Sequence, residues 1–388
     1  NGFYMENMAL QCCYSFENRR KLFEIDSRFR FAIVIARKST NRGNGFSCGF
    51  YLKDDEWLYS EKKNPSPMIY TLEFVRSTTG NALNLLEIRD PTYLNPLMAA
   101  YGAVSTSFGE LRRAFNITPT EELHKGKQKW RFIPIASILE QDDDPRLNDG
   151  FLKALKLKCL PLIEGKTFHQ FTNIWESRPE FLVPLNKLID KQSRLEQTKT
   201  FRLVFRKVAR GTDERTGIFA ILPPGVLCTD SALVESQALQ RKTANALAIC
   251  SLANSFVFDW LLRQMVGANV QFSFLDIVPV PSIQAIWLFL AHSALRLTCN
   301  HSGYAALWHE QLGDEWREPN NNPFTFPVLA TNDDRWSVRA AIDAVVAQAY
   351  GLDRDQYAHV LSTFSHKSYP KAPQLCLDRF DELEAITK

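Results

Sequence analysis

The stretch from Arg202 to Pro281 constrains the fold most. A basic segment carrying Arg202, Arg206, Lys207, Arg210 and Arg215 runs straight into a long apolar helical pattern and a Pro-bounded strand pattern. Between Lys187 and Arg215 stand nine Lys or Arg against four Asp or Glu, a surplus of five in a chain whose net charge is only +3. The positive charge is therefore local, which is what a polyanion-binding surface needs. A solvated face of an ordinary helix would carry the same surplus, so charge alone leaves both readings open.

The pattern around this segment sets the expected elements. Lys242 to Val266 contains neither Pro nor Gly, and Leu247, Ile249, Leu252, Phe256, Trp260 and Leu261 recur near helical spacing, predicting one helix stopped by Gly267. Within it Asn254, Ser255, Asp259 and Arg263 fall close to four apart, predicting an internal polar network that orients the helix. Ile218 to Leu222 reads as a strand, and Val270 to Val278 as another with Pro279 and Pro281 as its breakers. Near the start, Asn44-Gly45 separates the apolar runs Phe29 to Ala36 and Phe46 to Leu52, the signal of a hairpin. Met68 to Phe74 reads as a strand, the region around Pro91 to Leu111 as helices, and Ser337 to Tyr350 as a last helix capped by Gly351. Pro319 to Pro323 reads as a loop.

These elements make an α/β chain of mixed α+β character with several domains. The expected segments are 1–62, a strand and hairpin remnant; 63–150, a connecting α/β region opened by a Pro-rich linker and closed by the acidic turn Gln141 to Pro145; 151–282, a recognition domain; and 283–388, a helical region. Ile33, Val34, Phe50, Ile218, Ile221, Leu252, Phe256, Trp260, Phe274, Ile342 and Val345 are expected in the core. At 45% apolar and 23% charged residues the composition is that of a globular chain. The longest greasy run, Ile283 to Leu297, holds Gln284, His292 and Ser293 and is too short for a bilayer, so no membrane role is expected. Eight cysteines without a CxxC pair read as reduced core residues of a cytoplasmic protein, with no metal site.

Five blocks in order carry a family resemblance: Phe115 to Leu123, Leu160 to Phe171 with its Glu164-Gly-Lys166, Phe201 to Pro224, Leu252 to Gly267 followed by Phe274 to Pro281, and Arg339 to Leu352. Together they resemble the specificity half of large adenine-specific DNA methyltransferases, the type IIG restriction-modification enzymes and the related bacteriophage-exclusion methyltransferases. Phe16 to Ala36 resembles the last strands of that family's catalytic domain. The resemblance implies a target-recognition region that reads double-stranded DNA, in a restriction-modification or phage-defence system.

The family's Gly-rich turn for S-adenosylmethionine and its Asn-Pro-Pro-aromatic tetrad for the flipped adenine are not found in this sequence. Pro223-Pro224 has no polar residue before it and no aromatic after it. Asp90-Pro-Thr-Tyr93 fits an Asp-Pro helix start better, and Gly43-Asn-Gly45 a turn. With Asn1 in place of an initiator Met, the chain reads as a C-terminal portion whose catalytic domain lies upstream. No cofactor and no catalytic residue are expected in this stretch, S-adenosylmethionine being expected for a complete parent enzyme.

Arg can fork onto guanine, Gln or Asn onto adenine, while Lys and hydroxyls mostly hold phosphates. The candidate DNA-binding residues are Lys166, His169, Gln170, Arg206, Arg210, Thr212, Arg215 and Thr216. Each has a bland counterpart: Glu164-Gly-Lys166 could be a tight turn with a solvated charge pair, and Arg215-Thr216 could anchor a loop. Two other function classes stay open. Asp144, Asp149 and Glu164-Gly-Lys166 have the layout of a magnesium-dependent nuclease, and the helices from Ile283 to Leu361 could instead dock onto another subunit of a defence complex, or onto the upstream methyltransferase domain.

Overall fold

In a computed structural model the protein is described at residues 2–27, 29–39, 44–80, 83–140, 142–266, 269–312 and 326–387. The architecture is mixed α+β with several small sheets, in two compact units, Asn1–Val104 and Ser105–Lys388. The boundary falls inside the segment 63–150. Phe74 explains why: its ring meets Tyr70 at 5.0 Å and Tyr101 at 6.3 Å, both edge-on, so the helices Leu72–Thr79 and Leu94–Gly102 belong with the first unit's sheet.

The first unit is built on a four-stranded sheet in the order Arg30–Arg37, Ala9–Glu17, Phe46–Leu52, Met68–Tyr70. Ala9–Glu17 runs antiparallel to Arg30–Arg37 and parallel to Phe46–Leu52, with Phe16, Leu52 and Trp57 closing a small core beside it. The two runs expected as a hairpin are therefore not neighbours. A strand from earlier in the chain lies between them, and Gly43 of the expected turn lies outside the described residues. Edge position also corrects two core assignments: Val34 is exposed and Ile33 only half-buried, whereas Phe50 is buried as expected. The strand expected through Phe74 stops at Tyr70 because the Thr71 hydroxyl accepts from the Phe74 amide and caps a helix there. Asp90 accepts from the Thr92 amide and opens the turn Pro91–Tyr93, as its Asp-Pro signature predicts.

The second unit holds two four-stranded sheets, one ordered Phe219–Leu222, Arg202–Arg206, Ala232–Glu235, Pro119–Thr120, the other Leu227–Cys228, Cys159–Ile163, Phe181–Pro184, Ile133–Pro134. Every residue of Phe219–Leu222 and Ala232–Glu235 is buried, since a helix packs on the first sheet and Ile163 and Cys228 of the second sheet share a core with Val204, Ala220, Ala232 and Val234. Thr243–Ala253 packs on it and is backed in turn by Trp287–Thr298. The C-terminal helices Asn332–Ala349, Arg354–Ser362 and Ala372–Thr387 pack on one another, the first ending before Gly351 at φ +68°.

Two expectations in the second unit are corrected. The predicted helix Lys242 to Val266 is two helices, Thr243–Ala253 and Phe256–Arg263, bent by 65°. Asn254 and Ser255 make the break: the Ser255 hydroxyl accepts from the Phe258 amide and starts the second helix, while the Asn254 side chain is used elsewhere. Gly267, the expected stop, lies outside the described residues. The predicted strand Val270 to Val278 is instead a short helix, Phe272–Asp276, and the prolines expected to break it form the strand Pro279–Pro281. Phe274 and Val345 are accordingly only partly buried, while Ile218, Ile221, Leu252, Phe256, Trp260 and Ile342 lie in the core. All eight cysteines are buried thiols. Among the described residues no single helix is long and apolar enough to cross a membrane.

Candidate nucleic-acid interface

The candidate residues sit around one end of the strand Arg202–Arg206, the turn Gly165–Thr167 and the loop between Arg206 and Phe219. That loop is held from below by Asp259 on the helix Phe256–Arg263. Its carboxylate accepts from Arg215 Nε at 2.7 Å, from the Thr216 amide at 3.1 Å and from the Gly217 amide at 3.0 Å, with Arg263 Nε 3.4 Å away. Beside it Asn254 bridges both backbone groups of Phe219, accepting from its amide and donating to its carbonyl at 2.9 Å each. Gly217 is required here, since a Cβ would sit 2.9 Å from the Ala253 carbonyl. Of the four residues whose spacing predicts a polar network, Asn254, Asp259 and Arg263 join it, whereas the Ser255 hydroxyl is spent on the Leu252 carbonyl and the Phe258 amide at the helix break.

Three candidates are absorbed into the interior. Arg215 is buried, its guanidinium lying 4.2 Å from the Phe256 ring centre as well as on Asp259. Thr216 is fully buried and donates its hydroxyl to the Arg210 carbonyl at 2.8 Å. Gln170 donates to the Gly217 carbonyl at 2.7 Å and accepts from Arg339. His169 is half-buried and stacks on Trp175 at 4.1 Å; burial pushes its imidazole down to about 2, with Arg339, Arg206 and Arg215 adding to the shift. It is neutral at physiological pH.

Four candidates remain within reach of solvent. Lys166 leads off the turn Gly165–Thr167 and ion-pairs with Glu180, which also accepts from Lys125 at 2.9 Å. These two ammonium groups hold the Glu180 carboxyl below the usual carboxylate range. Gly165 lets the turn close on the sheet: a Cβ there would lie 2.7 Å from the Ser231 carbonyl and 3.2 Å from Arg206 Cγ. Arg206 is half-buried beside that turn, donating Nη2 to the Phe168 carbonyl, and burial lowers its pKa. Its Nε is buried without a hydrogen-bond partner, and no carboxylate pairs with it among the described residues. Arg210 and Thr212 are exposed on the loop, whose turn is tied by Asp213 accepting from the Arg210 amide at 2.8 Å. The Arg210 side chain has no ion-pair partner among the described residues.

The nuclease layout does not assemble. Asp144 is chelated by Arg146 at 2.7 Å, and that pairing holds its carboxyl below the ordinary range although burial opposes it. Glu164 is taken by Lys125 at 2.6 Å. Among the described residues no three His, Cys, Asp or Glu gather as metal ligands.

Two features were not singled out in the sequence. Asp259 as the seat of Arg215 is invisible at a separation of 44 residues. The run Lys125-Gly-Lys-Gln-Lys-Trp-Arg131 was legible, with four cations around a tryptophan, but it lies outside the segment where charge is densest in Arg.

No family model and no curated protein matches the chain. Among solved structures, the Type IIL restriction-modification enzyme MmeI in complex with DNA aligns at 10% identity and a TM-score of 0.37. The alignment covers 92% of this chain and 46% of that one, so this chain spans about half of MmeI's length. A TM-score this low establishes no common fold.

Proposed function

We propose that this chain recognises double-stranded DNA, as the C-terminal, target-reading part of an adenine-specific DNA methyltransferase in a restriction-modification or phage-defence system. The observation that carries the reading is a pair of guanidinium groups with no carboxylate partner among the described residues, the half-buried Arg206 and the exposed Arg210, displayed with Thr212 and Lys166 beside a loop that Asp259 fixes from below. A fixed frame matters because base readout needs side chains that lose little freedom on binding. The five ordered blocks that resemble the family's specificity half support the same reading. S-adenosylmethionine belongs to the catalytic part of the parent enzyme, and residues 1–388 alone are expected neither to bind it nor to methylate DNA; micromolar binding by calorimetry would contradict this.

Replacing Arg206 and Arg210 together by Ala tests the reading. Loss of a base-reading Arg costs roughly 1 to 3 kcal/mol on the cognate site only, whereas loss of a phosphate contact weakens all sequences and flattens the salt dependence. Duplex affinity unchanged in the double variant places the contact elsewhere. One observation favours a docking module as a second reading: a groove of about 420 Å³ between the helices Trp287–Thr298, Asn332–Ala349 and Ala372–Thr387, lined by Phe289, Leu329, Val338 and Ile386. Failure of the whole chain to retain any duplex at low salt would favour it.

A further inference from the structure

We infer that a second face of the Ser105–Lys388 unit, formed by the turns Lys129–Arg131 and Leu185–Lys191, carries the phosphate backbone of the duplex, with the indole of Trp130 at its centre. The inference rests on the DNA-reading function proposed above and assigns it a further contact surface.

Two turns distant in sequence are locked together here. Arg131 reaches across to donate to the Lys187 carbonyl and clasps Asp190 with both terminal nitrogens, at 2.7 and 2.6 Å. Lys187 Nζ returns a bond to the Trp130 carbonyl at 2.7 Å. The strand feeding the second turn is anchored by the Leu185 amide on the Lys158 carbonyl at 2.9 Å. The result is a fixed platform with an unusual charge ledger. Asp190 is the one carboxylate in residues 125–131 and 185–191, and Arg131 occupies it. Lys127, Lys129 and Lys191 have no ion-pair partner among the described residues, and Lys127 and Lys129 are exposed. Nearby carboxylates are already taken, Glu121 by Lys207 and Glu122 by the buried Arg202.

In the middle stands Trp130, 62% exposed, its ring 4.3 Å from the Arg131 guanidinium carbon. The Arg131 guanidinium packs on the indole, yet most of the ring stays open to solvent on a turn that is tied in place. With exposed Lys127 and Lys129 just before it in the chain and Lys191 beside the Asp190 that Arg131 clasps, it has the composition of a nucleic-acid contact: cations for phosphates and a flat aromatic for sugar or base. Charge complementarity selects the occupant, because a duplex supplies phosphates at the density that several fixed lysines can neutralise at once.

The test uses the whole chain and a fluorescent duplex of about 30 base pairs, followed by anisotropy from 50 to 300 mM salt. Replacing Lys127, Lys129 and Lys191 together by Ala is expected to weaken binding at least tenfold at low salt. The slope of log affinity against log salt should flatten by nearly three, about 0.9 per lost phosphate contact. Duplex should also shield a tryptophan from iodide quenching in the wild type, and Trp130→Phe should abolish that shielded fraction. If the triple lysine variant keeps wild-type affinity and slope while the Arg206, Arg210 double variant is weakened, this face is not a DNA contact although the DNA-reading function stands. If the wild type shows no salt-dependent duplex binding, the DNA-reading function itself fails and this inference with it.

Discussion

Two cation-rich regions of the second unit have opposite fates. The segment from Arg202 to Arg215 has the densest arginine content, yet Arg202 is sealed against Glu122 at 2.5 Å and Arg215 against Asp259. The segments 125–131 and 185–191 are richer in lysine, and of their six cations only Arg131 is buried while Lys127 and Lys129 are exposed. Linear charge density therefore does not measure surface charge. Guanidinium is weakly hydrated and offers a planar fork, so it can be buried where a carboxylate and backbone carbonyls saturate it; ammonium is strongly hydrated and stays in water. In these segments Arg131, Arg202 and Arg215 belong to the frame, while Lys127 and Lys129 face solvent.

Breaking the frame should have the largest effect. Asp259→Ala leaves Arg215 buried without its counter-ion and strips the Thr216 and Gly217 amides of their acceptor. A loss of about 3 to 5 kcal/mol is expected, read by urea denaturation. Asn254→Ala removes only neutral hydrogen bonds to Phe219 and should cost about 1 to 3 kcal/mol in the same assay. If the two losses were equal, the charge on Asp259 would contribute nothing beyond its geometry.

A pH series sharpens the comparison next. His169 at about 2 and His301 at about 4 are both pushed down by burial, so each contributes stability that is whole above the unfolded value near 6.5. That stability is lost as pH falls below 6.5, because the unfolded chain takes up the proton first. Asp343, raised to about 6 by burial, acts in the other direction: its contribution is whole below the ordinary carboxyl value and fades as pH rises through 6. Two histidines against one carboxyl predict a net loss of stability from pH 6.5 to 5, and His169→Phe, which keeps a ring on Trp175, should reduce that loss. A denaturation midpoint flat across this range in the wild type would contradict the burial of the imidazoles.

The smallest effect is expected on the lysine face. Lys127→Ala and Lys129→Ala touch no buried group and should change stability by no more than about 0.5 kcal/mol, even where they weaken DNA binding. A larger loss would mean that these lysines belong to the frame after all.

Part of this was readable along the chain. The pairing of Asp259 with Arg263 is legible because residues four apart on the helix Phe256–Arg263 share a face, whereas Asn254 reaches Phe219 from the break before that helix. The polar pair Asn254-Ser255 ends the helix Thr243–Ala253, which periodicity misses when Pro and Gly are its only breakers. The hairpin failed for a different reason: Asn44-Gly45 is a local turn signal, and the strand Ala9–Glu17 that intervenes is a non-local pairing. Among the candidate residues, Lys166, Arg206, Arg210 and Thr212 stay at the surface while Gln170, Arg215 and Thr216 turn inward, a division that residue type could not supply.

The sequence by itself determined the mixed α+β character, the apolar core of the second unit, the cap at Gly351 and the location of the charge surplus, since these follow from period, propensity and counting. Tertiary structure alone decided which cations are counter-ions of buried carboxylates and which face water. That choice depends on partners such as Asp259 for Arg215 and Glu122 for Arg202, 44 and 80 residues apart. Burial of an ion pair turns on three-dimensional saturation of both groups, and no pattern local to the chain records it.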